Sequence, residues 1–312
     1  MARPRVFAYV VLAAMPLFFV SNMIIGRVAI ASVDPWTLAF LRWLLACLIL
    51  TPIAWSGLRD HWAALRADWP LILLLGFIAQ WICGGLVYVG LELTSATNAT
   101  LIYTASPVLV VLLDALRERR PLPVLEGLGV VLGILGIFAI VLKGDFGALA
   151  TLQFNTGDLA IAAASASFAV YALLQRRNSL RTAPTMVVFF VIALAGTATL
   201  LPFSLWEIAA GASFPTRADQ WLSILGLAVF PSVLAFTCYQ YGIKLVGPSV
   251  TSVFMYLLPP YGVGLAALVL GEELHAYHAV GLVLVISGVL LATQARNLSG
   301  LFQRRPARDT SC

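Results

Sequence analysis

Residues 69–90 read WPLILLLGFIAQWICGGLVYVG, and residues 221–242 read WLSILGLAVFPSVLAFTCYQYG. Both stretches open on Trp, close on Gly and carry no charged side chain. About 20 consecutive apolar residues cross the ~30 Å hydrocarbon core as a helix. Membrane β-strands would instead alternate over ~9–11 residues, a pattern absent here. The decisive feature is that the two stretches lie 152 positions apart in register. At the same offset Pro107 meets Pro259, Gly129 meets Gly281 and Gly136 meets Gly288. Nearer the start the offset is 149–150, with Phe18 on Phe168, Arg27 on Arg177 and Pro35 on Pro184.

Extended to the whole chain, the same reading gives ten candidate spans: 6–28, 35–55, 69–91, 96–116, 124–142, 157–174, 183–206, 221–242, 249–270 and 276–295. The sequence therefore predicts an all-α membrane protein of ten transmembrane helices. These fall into a first five-helix repeat over 1–150 and a second over 151–296, followed by a basic tail over 297–312. Five is odd, so the second copy enters the bilayer from the opposite side. Inverted-topology repeats of this kind mark alternating-access transporters.

Composition agrees. Of 312 residues, 61% are hydrophobic and 11% charged, against about 25% charged in soluble domains. That excludes an ordinary cytosolic enzyme, a disordered chain and a secreted disulfide scaffold. With the N-terminus placed in the cytoplasm, 15 of the 19 basic residues fall in inside segments and three, Arg27, Lys143 and Arg217, outside. This is a positive-inside pattern with both termini on one side. The net charge of +5 thus reports topology; no nucleic-acid partner is expected. Short loops and 17 Arg against 2 Lys point to a bacterial inner membrane. The run 6–28 is too long for a signal-peptide core of ~7–15 residues and reads as an uncleaved first span.

Catalytic and cofactor machinery is not apparent. The four cysteines form no CxxC, and neither lysine sits in a phosphate-binding loop. Glu272 and Glu273 lie near His275 and His278, a set able to touch a metal but short of a complete site; it reads as a polar turn between spans. No cofactor is expected.

Several segments resemble the EamA branch of the drug/metabolite transporter superfamily. Residues 35–42 (PWTLAFLR) are similar to the family's start of helix two. Residues 96–99 (ATNA) through Ser106-Pro107 and Glu118 resemble helix four and its loop. Residues 250–260, ending Pro259-Pro260, followed by Gly271-Glu272, resemble helix nine and its loop. The resemblance covers nearly the whole chain and implies a ten-helix carrier with a central cavity between pseudo-symmetric halves. Within the family the chain looks nearest to YddG-like amino-acid and metabolite exporters. Arg117-Glu118-Arg119-Arg120 departs from the family's small Gly-Glu turn by being more basic.

Candidate solute-binding residues follow from polar groups near the midplane. Thr100, Tyr103, Thr104 and Pro107 share one helical face, and 152 residues on stand Ser252, Met255, Tyr256 and Pro259. Gln80 and Trp81 sit mid-span with Tyr88 two turns on; Asn22, Phe168 and Tyr171 complete the set. Small hydroxyls and flat side chains suit an amphipathic solute, and they equally suit close helix packing. Pro16, Pro107, Pro231, Pro259 and Pro260 interrupt spans as kinks or as hinges between the halves. Arg42, seven residues beyond Pro35, lies ~10 Å below the outer surface; it either snorkels outward or turns inward towards a carboxylate.

No carboxylate falls at a midplane, so a uniporter is expected, with selection by hydroxyls, amides and aromatic faces. The functional expectation is export of a small amphipathic metabolite, amino acids among the candidates, by a monomer or homodimer. The alternatives are a lipid-modifying membrane enzyme and a proton-coupled drug efflux pump.

Overall fold

The structure is a computed structural model. It describes residues 3–30, 32–94, 102–103, 105–119, 121–145, 147, 155–175, 180, 183–212, 214–270 and 275–302. Among these the chain is helical throughout, with no strand. In chain order the elements are α1 (Arg3–Ile30), α2 (Pro35–Ala67), α3 (Trp69–Gly76), a π-helical segment π1 (Phe77–Leu86), α4 (Val87–Leu93), α5 (Ala105–Arg117), α6 (Val124–Val141) and α7 (Thr156–Leu174). Then come α8 (Thr185–Ala209), α9 (Ala218–Leu227), π2 (Ala228–Leu234), α10 (Ala235–Val246), α11 (Pro248–Val253), a 3-10 turn (Phe254–Leu257), α12 (Leu258–Leu270) and α13 (Ala276–Phe302).

Six of the described helical segments are long and apolar enough to cross a bilayer: Pro35–Ala67, Trp69–Gly90, Val124–Val141, Thr156–Leu174, Thr185–Ala209 and Ala218–Val246. Val6–Asn22 and Ala276–Ala292 are shorter apolar helices. Leu48, Ile53, Leu194, Leu201, Leu205 and Leu222 are exposed. Apolar surface on this scale would drive aggregation in water and is what lipid tails solvate.

Local chemistry explains the breaks. Pro231 has no N–H, so the Leu227 carbonyl four residues back loses its helical donor. The Ser232 hydroxyl donates to that carbonyl at 2.8 Å, and the ladder loosens into π2. π1 lies at the same register of the earlier segment, without a proline. Pro259 and Pro260 withhold donors from the Met255 and Tyr256 carbonyls, and the chain tightens into the 3-10 turn just before them. Gly247, at φ +86°, ends α10, and Pro248 opens α11, a stop-and-start that only glycine makes without strain. Asn155 and Asp158 form a capping box at the start of α7, as a first-turn Asp is placed to do.

The pairings of elements are reciprocal. α1 packs along α9, π2 and α10, and α7 packs along π1 and α4. α2 packs on α8, α5 on α11, and α6 on α13. In the last pair a Cβ at Gly129 would lie 2.6 Å from the Gly288 carbonyl, and one at Gly136 would lie 2.7 Å from the Gly281 carbonyl. As one helix ascends in number the other descends, so α6 and α13 cross antiparallel with backbones nearly touching. Small residues permit that approach. Gly133 is covered by the Tyr256 ring. The Gly129–Gly133 stripe is therefore an internal contact and not a free dimer face.

Two boundaries differ from expectation. α2 runs twelve residues beyond the apolar stretch that ends at Trp55. Residues 56–67 keep helix-forming composition after the apolar run stops, and Arg59 lies over the Trp55 ring at 5.4 Å. α13 similarly continues to Phe302, into the segment read as a tail.

Candidate functional site

An open cavity of ≈ 200 Å³ lies where α10 ends and α8 begins, lined among others by Gln175, Thr185, Val188, Gln240, Ile243 and Lys244. The Lys244 ammonium donates to the Ala183 carbonyl at 3.2 Å. At the inner wall the Gln240 amide donates to the Tyr171 hydroxyl at 3.0 Å. Tyr171 leads to Phe168 with ring centroids 6.1 Å apart, and Phe168 leads to Tyr103 at 6.2 Å and Tyr239 at 5.2 Å. Tyr239 then meets Phe236 and Phe19, and Phe236 meets Trp43 and Phe189. An aromatic cluster fed by α1, α2, α7, α8 and α10 thus lies buried behind the cavity, joined to it by the Gln240–Tyr171 hydrogen bond. The Tyr239 hydroxyl is buried without a partner among the described residues. Unpaired buried donors of this kind are costly and favour a polar guest.

A second cluster surrounds Arg42. Its Nη1 donates to the Asn22 side-chain oxygen at 2.8 Å and to the Tyr88 hydroxyl at 2.6 Å, and Tyr88 donates to Asn22 at 2.8 Å. The guanidinium sits 5.3 Å from the Trp43 ring centroid and 5.6 Å from that of Tyr88. Arg42 is 5% exposed. It turns inward and does not snorkel. The groups that receive it among the described residues are an amide and a phenol, where the inward alternative expected a carboxylate. A guanidinium is thus buried within the bundle.

Other singled-out residues are distributed elsewhere. Gln80 is fully buried against α8, where a Cβ on Gly196 would fall 2.3 Å from its Oε1, and both its amide atoms lack partners among the described residues. Trp81 stacks on Phe77 at 4.9 Å and lies against Trp36 and Phe203. Ser252 donates to the Ser249 carbonyl, and Ser249 donates to Asp114 across the α5–α11 contact. Met255 is buried, and Tyr256 covers Gly133. Thr100 and Thr104 lie outside the described residues, as do Glu272 and Glu273. Pro16 lies inside α1, Pro107 in the first turn of α5, Pro231 in π2, and Pro259 and Pro260 at the start of α12.

Reading by apolar runs missed Gln240 and Lys244 as cavity residues, and Pro52 and Pro202 as prolines inside α2 and α8. The signal was present: the 152-residue offset carries Tyr88 onto Gln240, and the 150-residue offset carries Pro52 onto Pro202. Glu207 was also missed. Its carboxylate accepts from the Trp36 and Thr37 backbone amides at 3.2 and 2.7 Å, capping α2 from 170 residues away.

At the end of the helix bundle opposite the cavity, Ala29, Val33, Leu38, Leu41, Ile224 and Leu227 form a separate buried apolar cluster. α9 contributes the last two, at the other end of the rod whose close, in α10, lines the cavity.

Comparison with known proteins places these features in context. A model of the EamA-like transporter family matches residues 6–142 and again residues 155–294. The chain is 26% identical over 285 residues to the uncharacterized transporter YetK of Bacillus subtilis, covering 91% of this chain and 86% of that protein. It is 26% identical over 294 residues to an uncharacterized transporter of Archaeoglobus fulgidus, covering 91% and 96%. A WAT1-related protein of Arabidopsis thaliana is 24% identical over 297 residues, covering 86% and 80%. A solved crystal structure superposes with a TM-score of 0.74 at 23% identity, covering 92% of this chain and 97% of the other; at that identity the likeness is one of fold.

Proposed function

The chain belongs to the EamA-like transporter family and is a multi-pass membrane transporter, and from that premise we propose that it moves a small amphipathic metabolite across a bacterial inner membrane by alternating access. The observation that carries this reading is the cavity open at Gln240 and Lys244, which the Gln240–Tyr171 hydrogen bond joins to the buried aromatic cluster of Tyr171, Phe168 and Tyr239; the separate buried apolar cluster at the other end of the bundle is taken as the seal. A one-sided opening lined by amides and apolar side chains, with aromatic faces behind it, fits a solute with an apolar body and a few hydrogen-bonding groups.

In this proposal ten helices form two five-helix halves of opposite orientation. The reciprocal pairings, the antiparallel α6–α13 crossing and the double family match support it. Both termini lie in the cytoplasm by the positive-inside pattern, so the cavity faces inward and the apolar seal outward. Solute enters at Gln240, the halves rock about the interrupted helices, and the path reopens outward in the direction of export. Amino acids are the first candidates, and transport is by uniport.

The test is flux in proteoliposomes over a panel of amino acids, nucleobases and polyamines. We expect saturable flux of at least one solute, reduced about tenfold or more when Tyr171 and Tyr239 are both changed to Ala in folded protein. Non-saturable flux, or flux indifferent to both changes, contradicts a carrier with this cavity.

A further inference from the structure

We propose that Arg42, together with Trp43 and the space over Gly84, receives a carboxylate of the transported solute. This deepens the carrier reading above and rests on it.

The argument starts from the cost of a buried cation. Arginine remains protonated throughout the accessible pH range, and an uncompensated charge in a desolvated site costs several kcal/mol. Arg42 lies ~10 Å inside the span and is 5% exposed. Among the described residues, of its three nitrogens Nη1 alone is hydrogen-bonded, to the neutral Asn22 and Tyr88. Nε is buried and unpartnered, and so is the neighbouring Trp43 Nε1. A Cβ at residue 84 would stand 3.8 Å from both Arg42 Nη2 and Trp43 Nε1. The Ala79 carbonyl oxygen stands at the same 3.8 Å, so glycine there leaves two donors and one backbone acceptor around the volume a side chain would take, and a carboxylate meets the donors on the Arg42–Trp43 side.

The scaffold does not demand this charge. The offset of 149–150 residues carries Arg42 onto Val191 or Ile192, both buried and apolar. The second half packs the equivalent position on α8 with hydrocarbon, so the first half's arginine answers to something other than packing. Arginine's planar fork matches a carboxylate bidentately. Asn22, Arg42 and Tyr88 come from α1, α2 and α4, so an anion drawing on this cluster engages three elements at once and neutralises the site as it closes.

The test uses purified full-length protein and acid–amide pairs: L-leucine, L-phenylalanine and phenylacetate against L-leucinamide, L-phenylalaninamide and phenylacetamide. Sodium chloride at equal ionic strength is the control anion. Binding is read by thermal shift and by competition with flux. At least one acid should bind about tenfold or more tightly than its amide. Arg42→Gln should abolish that preference, and Arg42→Lys should retain part of it. Gly84→Ala meets its nearest neighbours at ordinary contact distance, so it folds and should weaken the acid selectively; it decides the matter if Arg42→Gln is not monodisperse. No preference for any acid overturns the proposal, as does chloride alone matching the acids, which would make the site that of a resident counter-ion. Saturable flux of amides or amines without acid preference removes the carboxylate and leaves the carrier standing; absence of saturable flux removes the carrier reading itself.

Discussion

Gly136 shows what single residues do here. Its missing side chain lets α6 approach α13 until a Cβ would fall 2.7 Å from the Gly281 carbonyl and 2.8 Å from the Val285 nitrogen. Both contacts are backbone and cannot yield without moving a helix. Gly136→Val should therefore lower thermal stability by about 1–3 kcal/mol, the usual range for overpacking, with solute affinity in the surviving folded fraction unchanged. A melting curve in detergent checks it. Gly127→Ala is the control, since its nearest neighbour beyond its own helix backbone stands 3.7 Å away, and it should be neutral. Individual roles were harder to read in the sequence than positions. Gln80 and Tyr103 are both mid-span polar residues. Tyr103 joins the aromatic cluster and Gln80 is pressed against Gly196, a distinction set by which helix lies opposite rather than by spacing along one helix.

At the scale of elements, two devices invite tests. The first is the cap on α2. Helix N-termini present unsatisfied amides and a positive dipole end, and here the anion comes from Glu207 at the end of α8. Glu207→Ala should destabilise the α2–α8 pair by about 0.5–2 kcal/mol, while Glu207→Gln, which keeps one acceptor, should cost less. The second is π2. Replacing Pro231 with Ala restores a donor to the Leu227 carbonyl, which Ser232 now serves. The segment should then become more regular, with maximal flux reduced and binding affinity retained. Equal reduction of both would make Pro231 a binding residue rather than a hinge. The start of α2 and the one turn of α7 with its capping box were legible in the sequence, because Pro, Asn and Asp mark starts locally. The long end of α2 was not, because the apolar run stops at the membrane surface while helix propensity continues.

At the scale of the whole molecule, the membrane class and the transporter family were legible in residues 69–90 and 221–242 and their common register. That register also contained Gln240 and Pro202, which inspection of apolar runs passed over. The inward turn of Arg42 was not legible, since snorkelling and inward geometries share one sequence. The sequence reading places no carboxylate at a midplane, and the proposed uniport therefore predicts that an imposed pH gradient leaves solute distribution at equilibrium unchanged; accumulation of solute driven by the gradient would instead require proton coupling. The most direct measurement of alternating access is reciprocal accessibility. In a background with its native cysteines replaced, Leu245→Cys reports on the open cavity and Leu227→Cys on the apolar seal, where the native leucine is fully buried. Labelling by a membrane-impermeant maleimide, with and without the best-transported solute of the panel, should fall at one position as it rises at the other. Parallel changes at both positions, or a Leu227→Cys thiol that stays unreactive under every condition, would contradict the account.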